Sequence, residues 1–179
     1  MNTPNKLTCL RIIMVPIFML AFELEMFYTA IVIFALASLT DQLDGHLARK
    51  NNQVTTFGKL MDPMADKILT ISALICFVAS KTDFINSWVV IVIITRELIV
   101  TGIRLIALGE NKVIAASMWG KAKTVSQLVT ILAVMIDKVF PLRVGGFYLT
   151  FWLVVITVVL TIYSGIDYVV KNRKLLTFK

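Results

Sequence analysis

Residues Asp41 to Asp66 read DQLDGHLARKNNQVTTFGKLMDPMAD. This polar stretch lies between long apolar runs, and that contrast decides the fold. It carries four of the chain's eleven acidic residues. Asp41 and Asp44 are three apart, and Asp62 and Asp66 are four apart. On a helix, those spacings put side chains on one face. Two successive helices, each with a carboxylate pair, can build one site from four acidic groups.

The chain has 179 residues, of which 58% are hydrophobic. Soluble domains are about 45–50% apolar by a count that also includes glycine. The apolar residues come in runs of about 20, the length that spans a bilayer as a helix. The expected architecture is therefore all-α, a polytopic membrane protein with six transmembrane helices. A single domain over 1–179 is expected, since no stretch reads as an extra-membrane module. The net charge of +7 is scattered at the ends of apolar spans. That distribution argues against a nucleic-acid partner and for membrane orientation, anionic head groups or phosphorylated substrates. Cys9 and Cys76 lie far apart in apolar context and read as small buried hydrophobes. No small-residue cleavage site follows the first apolar run, which reads as a retained span.

The spans follow in order. The first runs from about Asn5 to Phe22, with Pro16 expected to kink it; Asn5, Lys6, Thr8 and Arg11 lie in its first turns. The second, about Phe27 to Lys50, opens apolar (FYTAIVIFALASL) and ends in the acidic motif. After a polar loop at 51–56, the third runs from Phe57 to Ser80, with Asp62 and Asp66 in its first turns and Pro63 early enough to be tolerated. The fourth, Ser87 to Leu108, contains Arg96 beside Glu97. The fifth, Trp119 to Val139, opens with Lys121 and Lys123. A turn at Pro141–Gly146 leads to the sixth, Phe147 to Val170, and a basic tail.

Orientation follows from lysine and arginine. With both termini inside, the outer connections hold Lys81, Lys138 and Arg143, and the other fifteen of eighteen bases fall toward the inside. The positive-inside rule then makes both termini cytoplasmic and puts both aspartate pairs at the cytoplasmic face of the cell membrane.

Four converging carboxylates repel one another unless a cation sits among them. Oxygen-only ligands suit a hard divalent ion, Mg²⁺ or Mn²⁺. His46 lies two residues beyond Asp44, about 200° round a helix, and points elsewhere. Gly45 and Gly58 each serve either close helix packing or the approach of a phosphate to the backbone.

The string Asp41-x-x-Asp44-Gly45-x-x-Ala48-Arg49, then eight residues, then Gly58-x-x-x-Asp62-x-x-x-Asp66 resembles the signature of the CDP-alcohol phosphotransferases. Every fixed position is filled, and length and span number resemble that family across the whole chain. The resemblance implies displacement of CMP from a CDP-linked lipid by an alcohol. It implies two metal ions held by Asp41, Asp44, Asp62 and Asp66, with Asp66 also the catalytic base, and Gly45, Arg49 and Gly58 around the CDP moiety. A two-metal site suits such a displacement, because it neutralises the phosphoryl oxygens and aligns the nucleophile.

The segments PNKLTCLRI (4–12), MDPMADK (61–67), RELIVTGIRLIA (96–107) and GKAKT (120–124) resemble the phosphatidylglycerophosphate synthase branch of that family. This implies CDP-diacylglycerol and sn-glycerol 3-phosphate as substrates. Lys59, Arg96, Arg104 and Lys121 would hold the acceptor phosphate, Asn5 and Thr8 would sit near the nucleotide, and a homodimer is implied. On the residues alone, Arg96 needs a carboxylate or a bound anion, and Glu97, projecting about 100° away, is an imperfect partner. Other acceptors (inositol phosphate, serine, phosphatidylglycerol) keep the same chemistry. A membrane prenyltransferase would need a larger bundle. A cation transporter would spread its acidic residues along several spans.

Overall fold

In the computed structural model, the backbone is described for residues 3–50, 56–109, 114–115, 117–144 and 147–173. Side chains are described for 9–39, 67–107, 109, 114–115, 117–142 and 148–173. Six helices dominate: α1 (Thr3–Glu23), α2 (Phe27–Lys50), α3 (Thr56–Ala79), α4 (Ser87–Gly109), α5 (Met118–Asp137) and α6 (Leu149–Lys171). Between α5 and α6 lies a minimal antiparallel pair, β1 (Arg143–Val144) and β2 (Phe147–Tyr148), in register Arg143↔Tyr148 and Val144↔Phe147. The sixth helix thus starts two residues later than its apolar pattern predicts, because Phe147 and Tyr148 are drawn into the hairpin. Elsewhere the boundaries fall within about two residues of the expected ones, a normal disagreement at helix ends.

The helix ends have local causes. Asn86 caps α4, its Oδ1 accepting from Val89 N–H at 3.1 Å, and Ser117 caps α5, its Oγ accepting from Gly120 N–H at 3.0 Å. Each satisfies a donor that the first turn leaves orphaned. Between α1 and α2, Glu25 takes a φ of 58°, and Met26 N–H reaches back to the Ala21 carbonyl at 2.9 Å. Helix α1 continues through Pro16. Helix α3 tolerates Pro63, continuing through it seven residues after its start; a proline there leaves the carbonyl four residues earlier without its helical partner.

Contacts gather the chain into two compact units, Met1–Ser80 with Val134–Pro141, and Lys81–Ala133 with Leu142–Lys179. In the first, α1 packs against both α2 and α3. Its centre is aromatic: Phe18 and Phe34 rings lie 5.7 Å apart, and Phe22 and Phe77 rings 5.5 Å apart. Ala30, Ala37 and Ala73 are fully buried, and such small side chains let helix backbones approach closely. Cys76 is buried there, as its apolar context predicts, whereas Cys9, expected to be buried as well, is half-buried.

In the second unit α4 packs along α6. The buried stripe of α6 is Thr150, Val154, Thr157, Thr161, Ser164 and Tyr168, spaced alternately four and three apart, one face of a helix. Most of these residues are hydroxylic. The Thr157 and Thr130 hydroxyls meet at 2.8 Å, and Ser126 and Thr157 at 2.7 Å.

The distribution of polarity is the reverse of a water-soluble domain. Arg96, Lys123, Gln127, Thr157 and Ser164 are buried, whereas Trp88 is 78% exposed and Leu98, Ile166 and Val159 are exposed as well. Large exposed apolar faces mark contact with something other than water. Among the described residues, one helix is long and apolar enough to cross a membrane unaided, α6. Helix α4 has 23 residues but carries Arg96, Glu97 and Arg104. The described apolar parts of α2 and α3, Phe27–Leu39 and Lys67–Ala79, are shorter.

Candidate active site

Helix α2 runs unbroken to Lys50 and α3 begins at Thr56. The backbone is therefore helical at all four aspartate positions, so the spacings have their helical meaning. Positions 41 and 44 share one side of α2, and 62 and 66 are one turn apart on one side of α3. Both helices belong to the first unit. The side chains of Asp41, Asp44, Gly45, His46, Arg49, Gly58, Lys59, Asp62 and Asp66 lie outside the described residues, as do those of Asn5 and Thr8 on α1. As a donor set, four carboxylates at helical spacing on two successive helices fit a hard divalent cation. Further along α1, Arg11 is 2% exposed.

Of the basic residues expected to hold the acceptor phosphate, Arg96, Arg104 and Lys121 belong to the second unit and Lys59 to the first. Arg96 is 9% exposed. Its Nε donates to Ser164 Oγ at 3.2 Å and its Nη1 to Glu97 Oε1 at 3.1 Å. The adjacent carboxylate is thus a true partner of Arg96, contrary to its expected divergence: both side chains are long enough to turn back along the helix and meet. Glu97 also receives the ammonium of Lys123, which in turn donates to Gln127 Oε1. Lys123 is fully buried. A buried charge is costly and is retained with a partner; one carboxylate here serves two cations.

Arg104 lies eight residues on from Arg96. Its Nε donates to Tyr168 Oη at 3.2 Å, and its guanidinium carbon lies 5.7 Å from the Tyr168 ring centroid. Tyr168 is buried with Val100 and Ile103. Lys121 stands exposed at the start of α5. Of the expected acceptor-phosphate residues, α6 therefore engages Arg96 and Arg104, while Lys121 joins neither in a hydrogen bond among the described residues.

Glu97 as a hub, buried Lys123 with Gln127, and the pair Ser164 and Tyr168 were not expected as site residues. Cost was their only signal: Lys123 sits in an apolar helix and must be paired. Gln127 lies four residues on, at helical spacing, but the carboxylate partner is 26 residues away, and no spacing rule reaches that far.

Residues 1–163 match the family model described as CDP-alcohol phosphatidyltransferase. The chain belongs to that family, a membrane-associated, generally metal-dependent group of transferases in phospholipid biosynthesis. Within it, the chain is 40% identical over 186 residues to a Bacillus subtilis protein named CDP-diacylglycerol–glycerol-3-phosphate 3-phosphatidyltransferase, covering 96% of this chain and 95% of that one. It is 34% identical over 181 residues to the Escherichia coli protein of the same name, covering 96% and 95%. A Mycobacterium tuberculosis protein named probable phosphatidylglycerophosphate synthase is 40% identical over 180 residues, covering 95% of this chain and 81% of its own.

Proposed function

We propose that this chain transfers the phosphatidyl group of CDP-diacylglycerol to sn-glycerol 3-phosphate, giving phosphatidylglycerophosphate and CMP. The observation that carries the reading is the completely filled aspartate signature at helical spacing on α2 and α3. Relatives bearing that enzyme name over nearly the whole chain support it.

Asp41, Asp44, Asp62 and Asp66 would hold one or two divalent ions, Mg²⁺ or Mn²⁺. When bound, such ions neutralise the pyrophosphate oxygens and help align the displacement. Asp66 accepts the proton of the acceptor hydroxyl as its oxygen attacks the phosphatidyl phosphorus. A new P–O bond forms there, the P–O bond to CMP breaks, and CMP leaves with the bridging oxygen. Gly45 and Gly58 leave room for the diphosphate, and Arg49, Asn5 and Thr8 line the nucleotide. Lys59, Arg96, Arg104 and Lys121 hold the acceptor phosphate; a guanidinium meets phosphate through two parallel N–H bonds, which suits the two arginines.

All six helices cross the membrane as one catalytic domain over 1–179, with both termini and the active site at the cytoplasmic face. There a lipid donor and a soluble acceptor meet. The positive-inside distribution of lysine and arginine supports this orientation. The enzyme works as a homodimer.

The test uses purified protein with CDP-diacylglycerol and Mg²⁺ and a panel of acceptors, following CMP release. Release is expected with sn-glycerol 3-phosphate and not with serine, inositol phosphate or phosphatidylglycerol. Release with inositol phosphate alone would reassign the acceptor, and no release with any acceptor would overturn the enzyme reading.

A further inference from the structure

We propose that α6 aims the acceptor-binding arginines of α4 through two positioning residues, Ser164 and Tyr168, and so sets selectivity for a phosphorylated acceptor. The inference rests on the reading that Arg96 and Arg104 hold the acceptor phosphate.

Both arginines are engaged in the same way. Each is held by α6 through Nε, at 3.2 Å in both cases, the nitrogen nearest the stem. Ser164 and Tyr168 are four apart on α6 and Arg96 and Arg104 eight apart on α4, so each pair shares a helix face. An unrestrained arginine loses rotamer freedom when it is fixed on a ligand. Fixing the stem beforehand removes part of that cost.

The hydrogen bonds have a defined polarity. Ser164 is fully buried, and its hydroxyl donates to the Thr161 carbonyl at 3.2 Å. Its one proton is thus committed, and its oxygen is left to accept from Arg96. The stem of Arg96 lies flat on α6: a Cβ at Gly165 would come within 3.1 Å of Arg96 Cγ. With Nη1 on Glu97, the remaining Nη2 faces Gly120 of α5, where a Cβ would sit 3.4 Å away. For Arg104, Nε is on Tyr168 and the Nη nitrogens have no partner among the described residues. The terminal donors left over are those that a phosphate dianion would take.

Tyr168→Phe keeps the ring, its packing and its cation–π contact and removes only the hydroxyl. Ser164→Ala does the same for Arg96 in a separate place. Each is expected to raise the KM for sn-glycerol 3-phosphate about tenfold, the worth of a hydrogen bond to a charged group. The kcat and the KM for CDP-diacylglycerol should change less than about twofold. Arg104→Ala, measured alongside, separates the two levels of the claim. If Arg104→Ala raises the acceptor KM but neither α6 variant does, the positioning role is overturned and the proposed function stands. If Arg104→Ala also leaves the acceptor KM unchanged, the phosphate-binding role of the arginine falls, and the inference with it. A matching loss of kcat and of affinity for both substrates in the α6 variants would mark general damage to α4–α6 packing and would likewise overturn it.

Discussion

Asp66 lies one turn further along α3 than Asp62, and the proposed function gives it the role of base in addition to a place at the metal. A general base contributes about 10²–10⁴-fold to rate. Asp66→Asn should therefore reduce CMP formation by at least about 10²-fold while CDP-diacylglycerol binding, followed by equilibrium dialysis, stays measurable. Retained turnover would exclude Asp66 as the base. Glu97 offers a second test. It accepts from both Arg96 and Lys123, so Glu97→Ala removes the carboxylate that two buried cations share and should cost about 3–5 kcal/mol, seen as a large fall in melting temperature in detergent. Single residues were unevenly legible in the sequence. The aspartates were readable because their spacing is local. The partners of Arg96 and Lys123 were not, because Ser164 and Glu97 are ordinary residues whose meaning comes from α4, α5 and α6 packing together.

At the level of elements, polarity breaks between apolar runs located the helices well: Asn86–Ser87 opens α4 and Glu23–Met26 separates α1 from α2. The hairpin at β1 and β2 was missed, since Phe147 and Tyr148 are as apolar as the helix that follows and only pairing with Arg143 and Val144 distinguishes them. The hydroxyl stripe of α6 was equally silent, because threonines in an apolar run read as neutral filler. In the fold they join α5 to α6, with Thr157 touching both Ser126 and Thr130. Interhelical hydrogen bonds in membranes average about 0.6 kcal/mol and reach about 1.7. Thr157→Val should thus lower stability by about 1 kcal/mol, since Thr130 keeps the Ser126 carbonyl as an alternative acceptor. A denaturant titration of the detergent-solubilised protein measures it, and a loss several times larger would mean that the ladder acts as a unit.

For the whole molecule, buried polar groups and exposed apolar faces accord with membership of a membrane-associated family. Under the proposed function, the aspartates of α2 and α3 hold a divalent ion. Chelation with EDTA should therefore stop turnover, and Mg²⁺ or Mn²⁺ should restore it; activity undiminished by chelation would remove the metal from the account. The central claim is that the phosphatidyl group is passed to an alcohol that keeps its own phosphate. It is tested most directly by supplying CDP-diacylglycerol and Mg²⁺ with sn-glycerol 3-phosphate labelled with heavy oxygen in its phosphate, then weighing the lipid product. The account predicts a lipid that carries the labelled phosphate intact and forms one-for-one with CMP. A lipid lacking that label, or CMP released without a matching lipid, would contradict it.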